Sequence, residues 1–410
     1  MILNAKELKR NKRWAIVIGL GLALSPIHSL WLTELVTEDG VVGFFIPAFG
    51  MAIWFIGAGA FLVYNWESLG LGNKWVYIPL FVIAGSMAIS GFVSQPTFGD
   101  KITPSIMDWV GIYSDKATPG LMGLVLVGIY VVSRTLGARL FRPLIPLVLI
   151  GVVLAVIGGI VNSDQSYAEQ PITLITNYCA LAGFLILGGI VNQGRYQWVL
   201  LTVVLVGLFF VGALEAVFIV GVLGITMLLR RDIDKRLIIS MGVVACLVIL
   251  WAVLGNLAPL YRGGSNNVET LFNVLVGTQP LTPQAMNMIT SGRWVIIVRE
   301  MQNISFWGHG YSLSTVGGGI VHNIPLIIVH QIGILPAIAW VFVTAYCLIK
   351  TKWKYAWMAI LAMCVFDHYL WTQFTPYWWA LVGVSTASGI ENDYLCGGRH
   401  VRTDNTGGGI

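Results

Sequence analysis

The chain has 410 residues, 57% of them hydrophobic and only 10% charged, with a net charge of +5 and a mean hydropathy of +0.79. A soluble domain carries about 25% charged residues, so this composition excludes an ordinary soluble enzyme and reads as a polytopic membrane protein. The positive charge is spread over connectors between apolar runs. It reads as an orientation signal and not as a nucleic-acid footprint, so no nucleic-acid partner is expected.

A spanning helix needs about 20 apolar residues. The N-terminus, MILNAKELKRNKR, is basic and leads straight into an apolar run without a small-residue cleavage site, so it is expected to be retained as a first span. Candidate spans follow at 14–33, 41–64, 75–93, 120–133, 144–162, 172–192, 198–212, 214–230, 237–256, 324–349, 355–371 and 376–389. The expected fold class is all-α, a polytopic membrane bundle of about 12 transmembrane helices with one large periplasmic loop. The basic connectors are KELKRNKR, 133–142, 230–236 and 350–354. Numbering the spans from an inside N-terminus puts all four on one side, which the positive-inside rule makes cytoplasmic. That alternation requires two spans within 198–230.

The chain therefore divides into an N-terminal transmembrane bundle of about nine spans (1–256), an external loop with an amphipathic helix (257–323), C-terminal spans (324–389) and a polar, Gly-rich cytoplasmic tail expected to be disordered (390–410). Cys179, Cys246, Cys347 and Cys364 lie in apolar segments and Cys396 in the tail, so neither a disulfide nor a Cys-ligated metal is expected. Sixteen Trp and fourteen Tyr suit interfacial belts.

The external segment opens with Pro259, Arg262 and Gly263–Gly264, and Pro280 and Pro283 are expected to break it. A helix is predicted to start near Thr290–Ser291, either of which can cap it. Trp294, Ile297, Val298 and Met301 form an apolar stripe on it. Arg293 and Glu300, seven residues apart, share another face, and Arg299 points elsewhere. Then come Trp307-Gly308-His309-Gly310-Tyr311, Gly317-Gly318-Gly319 and Val321-His322-Asn323-Ile324-Pro325. Asn323 can cap the next span, and Pro325 is tolerated in a first helical turn.

His322 thus sits just outside a helix N-terminus. The positive end of that helix attracts an anion and disfavours imidazolium. It leaves His322 neutral and able to accept a proton from a hydroxyl, as a catalytic base. Arg293 supplies a planar guanidinium that binds phosphate through two parallel hydrogen bonds, and a diphosphate leaving group needs such neutralisation. The external loops offer no paired carboxylates and no His/Asp cluster with ligand spacing, so no metal and no other cofactor is expected.

Each residue also has a plainer reading. Arg293 fits a helix-end arginine bonding lipid phosphates, and His322 an interfacial residue satisfying a loop carbonyl. His309 fits a turn residue between glycines. Arg262 and Arg299 fit solvated or lipid-facing positions, and His330 fits a bond to a neighbouring helix. Asp367-His368 lies inside span 355–371, where ionisable residues are costly and face the bundle interior. It reads either as a mutually satisfied pair or as part of a cavity wall together with His309 and Asn323. Glu215 and His28–Glu34 lie near outer span ends and fit the same wall.

These motifs resemble those of the O-antigen ligase and O-antigen polymerase superfamily, membrane glycosyltransferases of GT-C type. Ser291-Gly292-Arg293-Trp294 looks like the family's "SGR" start of a periplasmic helix, and Gly308-His309-Gly310-Tyr311-Ser312 looks like its "GxG" turn. Val321-His322-Asn323, followed by Gln331-Ile332-Gly333-Ile334-Leu335, looks like its "HN…E-x-G" approach to the next span. The order and spacing match over about 45 residues. The resemblance implies an inverting, metal-independent transfer of a glycan from an undecaprenyl-diphosphate carrier to an acceptor hydroxyl on lipid A–core, another glycan or a protein. It gives Arg293 the diphosphate and His322 the catalytic role, at the outer face of the bacterial inner membrane. Two positions depart from the pattern. No arginine stands at Gly212-Ala213-Leu214-Glu215, where family members often carry a Ser-Arg pair, which leaves Arg262 or Arg299 as the second diphosphate contact. Gln331 replaces the usual acid. The alternative function is a transporter or flippase of a lipid-linked or anionic substrate, which would depend on Asp367-His368 rather than on Arg293 and His322.

Overall fold

The computed structural model describes residues 5–24, 41–93, 118–161, 180–186, 190, 197–210, 214–229, 239, 242, 246, 270, 273–290, 292–310, 322–366, 371 and 374–387. Regular structure among the described residues is entirely helical. The helices are α1 (Ala5–Leu24), α2 (Val41–Tyr64), α3 (Lys74–Val93), α4 (Thr118–Leu136), α5 (Leu144–Val161), α6 (Gln197–Phe210) and α7 (Leu214–Leu229). They continue with α8 (Pro283–Ile289), α9 (Arg293–Gln302), α10 (Ile324–Ile332), α11 (Ile334–Lys350), α12 (Lys354–Phe366) and α13 (Thr375–Thr386).

Most helices coincide with the apolar runs because nothing within those runs competes with the helix. The 24 residues of α2 contain no charge. The segment 198–230 is two helices, α6 and α7, packed on each other, as the connector charges required. The stretch Met122–Phe141, 20 residues with a mean hydropathy of 1.6, is long and apolar enough to cross a membrane, and shorter apolar helices include Lys74–Ser90 and Ile334–Lys350. Ile56, Val63, Leu124, Val199, Leu229 and Ile349 point outward and are exposed. The large aromatic side chains Trp340, Trp357, Trp378 and Trp379 are fully buried behind them. Residues 375–384 of α13 are buried on every side, as expected of a central helix with no polar face. This helix packs on α4 and α11, and Trp378 stacks on Trp340 with ring centroids 5.6 Å apart.

Two expectations about span ends are corrected. The span expected at 120–133 runs on into the basic connector, to Leu136. After Leu136 the chain tightens into a 3₁₀ turn, Gly137–Phe141, that buries Gly137, Ala138, Leu140 and Phe141 and packs on α1. The expected single span 324–349 is broken at Gly333 into α10 and α11. Gly333 has φ 98, and Pro336 three residues later has no N–H to continue a ladder from α10.

Basic residues collect at one end of the bundle. Arg10 of α1 donates from Nη2 to Asn65 Oδ1 (3.3 Å), just past α2, and its guanidinium lies 4.9 Å from the Tyr64 ring centroid. Arg134 of α4 donates to the carbonyl of Gly70, and Asn73 donates to the Tyr346 hydroxyl (2.7 Å) near the end of α11. Three of the basic connectors therefore meet at this end, and the fourth, 230–236, lies outside the described residues.

Candidate functional site

The chemistry-bearing stretch begins with α8. Pro283 does not break the chain there; it opens the helix, with Thr282 Oγ1 accepting from Ala285 N (3.1 Å). Proline is pre-shaped for this position and lacks only an N–H that would have been an orphan. Gly292, at φ 85, then turns the chain directly into Arg293, the first residue of α9. Thr290 Oγ1 accepts from Trp294 N (3.0 Å) and Asn287 Oδ1 from Val295 N (3.3 Å). Side chains thus satisfy two of the orphan N–H groups of the first turn, and Thr290 acts as the sequence predicts although Gly292 occupies the cap position.

Of the predicted apolar stripe, Trp294, Ile297 and Val298 are half-buried and Met301 is 61% exposed, whereas on the Arg293 face Ile296 packs against the core and Glu300 is 2% exposed. Arg293, Ile296 and Glu300 are spaced i, i+3, i+7, so the half-buried Arg293 lies on the same side of the helix as the buried carboxylate. Arg299 is half-buried in the last turn, where its carbonyl accepts from Asn303 Nδ2 (2.8 Å).

Glu300 is buried against an imidazole. Its Oε2 lies 2.7 Å from Nδ1 of His330, and both side chains are almost fully buried. Oε1 of Glu300 has no hydrogen-bond partner among the described residues. His330, expected at most to bond a neighbouring helix, therefore meets that helix at the single acidic residue of the 290–333 stretch. The His309 ring lies 5.2 Å from the His330 ring, centroid to centroid, and His309 Nε2 is 2.7 Å from the carbonyl of Asn303.

The turn around His309 fills the break between α10 and α11. His309 N donates to His330 O (2.6 Å), Gly310 N to Gln331 O (3.1 Å) and Ile334 N to Phe306 O (3.1 Å). The last carbonyls of α10 and the first N–H of α11, which would otherwise be orphans, are satisfied by the loop. Close backbone approach requires the glycines. A Cβ on Gly308 would stand 2.7 Å from Gln331 O, and one on Gly333 would overlap Phe306 O. Gln331 is buried, and its Oε1 accepts from Trp371 Nε1 (2.7 Å).

At the other end of α10, Asn323 caps the helix through Oδ1 to Leu326 N (3.1 Å), with Pro325 in the first turn. Asn323 Nδ2 also donates to Val365 O at the end of α12 (3.3 Å). The half-buried His322 therefore stands directly before the helix N-terminus, next to the last turn of α12.

The structure thus brings the Arg293 helix onto α10, the helix that His322 and Asn323 open, and joins His309 to His330. Arg262, Asp367, His368, His28 and Glu34 lie outside the described residues, as do Ser291, the Gly317–Gly319 run and Val321. Glu215 is the second residue of α7, and its side chain is not described. Sequence reasoning missed the Glu300–His330 pairing, although a signal existed: one carboxylate in a stretch with three histidines, on the same helix face as Arg293. A comparison with protein-family models found no match, and one with curated proteins found none.

Proposed function

We propose that the chain is an α-helical membrane glycosyltransferase that moves a glycan from an undecaprenyl-diphosphate carrier to an acceptor hydroxyl at the outer face of the bacterial inner membrane. The observation that carries this reading is α9 docked on α10 with its Arg293-bearing side turned inward, because α10 is the helix whose N-terminus carries His322. The composition, the apolar outward-facing side chains and the basic end of the bundle support the membrane setting. That basic end would be cytoplasmic, and the twelve-span topology with its external loop is part of the same proposal.

In this reading Arg293 binds the donor diphosphate through its guanidinium fork. The α10 N-terminus adds positive potential. Neutral His322 takes the proton of the acceptor hydroxyl, and the oxygen attacks the anomeric carbon from the face opposite the diphosphate. The bond from C1 to the phosphate oxygen breaks, its electron pair leaves with undecaprenyl diphosphate, and the configuration at C1 inverts. Arginine neutralises the leaving group, so the step requires no metal. A second arginine contact falls to Arg262 or Arg299.

The test is a product mass. Purified protein in nanodiscs is given an undecaprenyl-diphosphate oligosaccharide and a mixed set of acceptors, including lipid A–core and free glycan. A glycan on an acceptor establishes the activity, and the acceptor separates ligase from polymerase. Arg293→Ala and His322→Ala should each lower transfer by at least about 100-fold while leaving the melting temperature unchanged, the scale on which positioned charge and acid–base groups act. Arg293→Lys should recover little, since lysine lacks the fork. Intact donor with folded protein would move the reading to a transporter of the same lipid-linked substrate.

A further inference from the structure

Glu300 and His330 are almost fully buried, 2.7 Å apart, on two different helices. Such a pair is a poor way to gain stability, because two well-packed apolar residues serve as well or better. Its strength is selectivity: any displacement that parts the two leaves a carboxylate buried without its partner. The same logic lets one buried polar group fix the register of paired helices.

What this pair joins is specific. Glu300 lies seven residues after Arg293, about 10 Å along α9 at 1.5 Å per residue. His330 lies six residues after Ile324, about 9 Å along α10 from the end that His322 precedes. A slip of one residue along α9 would carry Arg293 about 1.5 Å along the axis and turn it by about 100°. Other ties act around the pair: His309 N and Gly310 N bind the carbonyls of His330 and Gln331, the His309 ring faces the His330 ring, and His309 Nε2 lies 2.7 Å from the carbonyl of Asn303, at the very end of α9. Within α9, Ile296 packs against the core, and Glu300 is the one side chain that is fully buried.

We propose that Glu300 and His330 are positioning residues: their buried pair sets the register of α9 on α10 and so fixes where Arg293 stands relative to His322. The functional half of this statement rests on the glycosyltransferase reading; the register half does not.

The test separates position from stability. Spin labels are placed at two exposed sites, Val295→Cys on α9 and Leu335→Cys at the start of α11, in a full-length chain whose native cysteines are replaced. Double electron–electron resonance in nanodiscs then reads their distance. The parent should give one narrow distance. Glu300→Leu with His330→Leu should melt no lower than the parent, yet give a broadened or shifted distribution and at least a tenfold fall in transfer, mainly in kcat. The exchanged pair, Glu300→His with His330→Glu, should restore the narrow distance. Glu300→Gln, which keeps the shape and folds with the least disturbance, should broaden the distance less than the leucine pair does. A parent-like distribution in the leucine pair or in Glu300→Gln overturns the proposal, as does an exchanged pair as broad as the leucine pair. The distances need no turnover. Distances that behave as expected in a protein without transfer activity therefore leave the register device standing and remove the glycosyltransferase reading instead.

Discussion

Charge is handled in opposite ways at two places in this chain. At the basic end, Arg10, Lys74 and Arg134 make contacts of the surface kind: a side-chain amide, the face of a tryptophan, a loop carbonyl. At the α9–α10 junction a carboxylate and an imidazole are taken out of solvent altogether, and the surrounding loop is clamped through its backbone. Surface contacts of this kind tolerate changes in length and angle, and each contributes little. Buried ones tolerate neither, because an unmade bond has no water to replace it. The contacts of the basic end can adjust, and those of the junction cannot.

The contrast is sharpest in two glycines with positive φ. Gly333 (φ 98) lies at the junction and Gly72 (φ 79) at the basic end. A Cβ on Gly333 would overlap the backbone carbonyl of Phe306, while one on Gly72 would meet the far end of the Arg134 side chain, which can swing away. Both substitutions to alanine carry a positive-φ penalty of about 1–3 kcal/mol. Only Gly333→Ala must also move backbone and lose the Ile334–Phe306 bond, so a total of about 3 kcal/mol or more is expected. Thermal melting in detergent should place Gly333→Ala well below Gly72→Ala, with new protease cutting around 303–310. Equal melting temperatures would break the comparison.

A smaller effect is expected one step out from the clamp. Trp371→Phe keeps most of the aromatic volume but leaves the buried Gln331 Oε1 without its indole donor. A buried hydrogen bond contributes about 0.5–1.5 kcal/mol, so the variant should melt lower than the parent. A loss indistinguishable from zero would mean that Gln331 finds another donor at no cost.

The helices were legible where the pattern was purely apolar. α2, α5 and α7 fall on their predicted runs to within a residue or so because no competing polar group shortens them. The split of 198–230 was legible from charge alone, through connectors far from it. The break at Gly333 was not seen, although Gly333 and Pro336 were both there to read. Ile324–Lys350 is apolar enough to count as one span, and only the loop that fills the gap makes a break affordable. The burial of Glu300 on α9 was missed for a related reason. In the stripe Trp294, Ile297 and Val298 are half-buried, but a partner for Glu300 thirty residues away buries that carboxylate more deeply. Hydropathy reports what a residue prefers alone, and a buried acid–base pair is a preference of two residues at once.

The smallest effect is expected back at the basic end. Lys74 is exposed, and its Nζ lies 5.8 Å from the centroid of the Trp75 ring, itself 59% exposed. A cation over an exposed indole contributes about 0.5–1 kcal/mol at best, and salt weakens it further. Lys74→Gln should therefore shift melting by an amount that shrinks toward zero as ionic strength rises from about 0.01 to 1 M, the range over which the screening length falls from about 30 to 3 Å. The Glu300→Leu/His330→Leu pair should show no such salt dependence, since solvent ions do not reach a contact whose two side chains are 2–3% exposed. The pair of salt titrations separates the two uses of charge directly: a response at Lys74 with none at Glu300 and His330 is the expected pattern. An equal response at both would mean that the junction opens to solvent often enough to be screened, and a contact that open could not hold the register of α9.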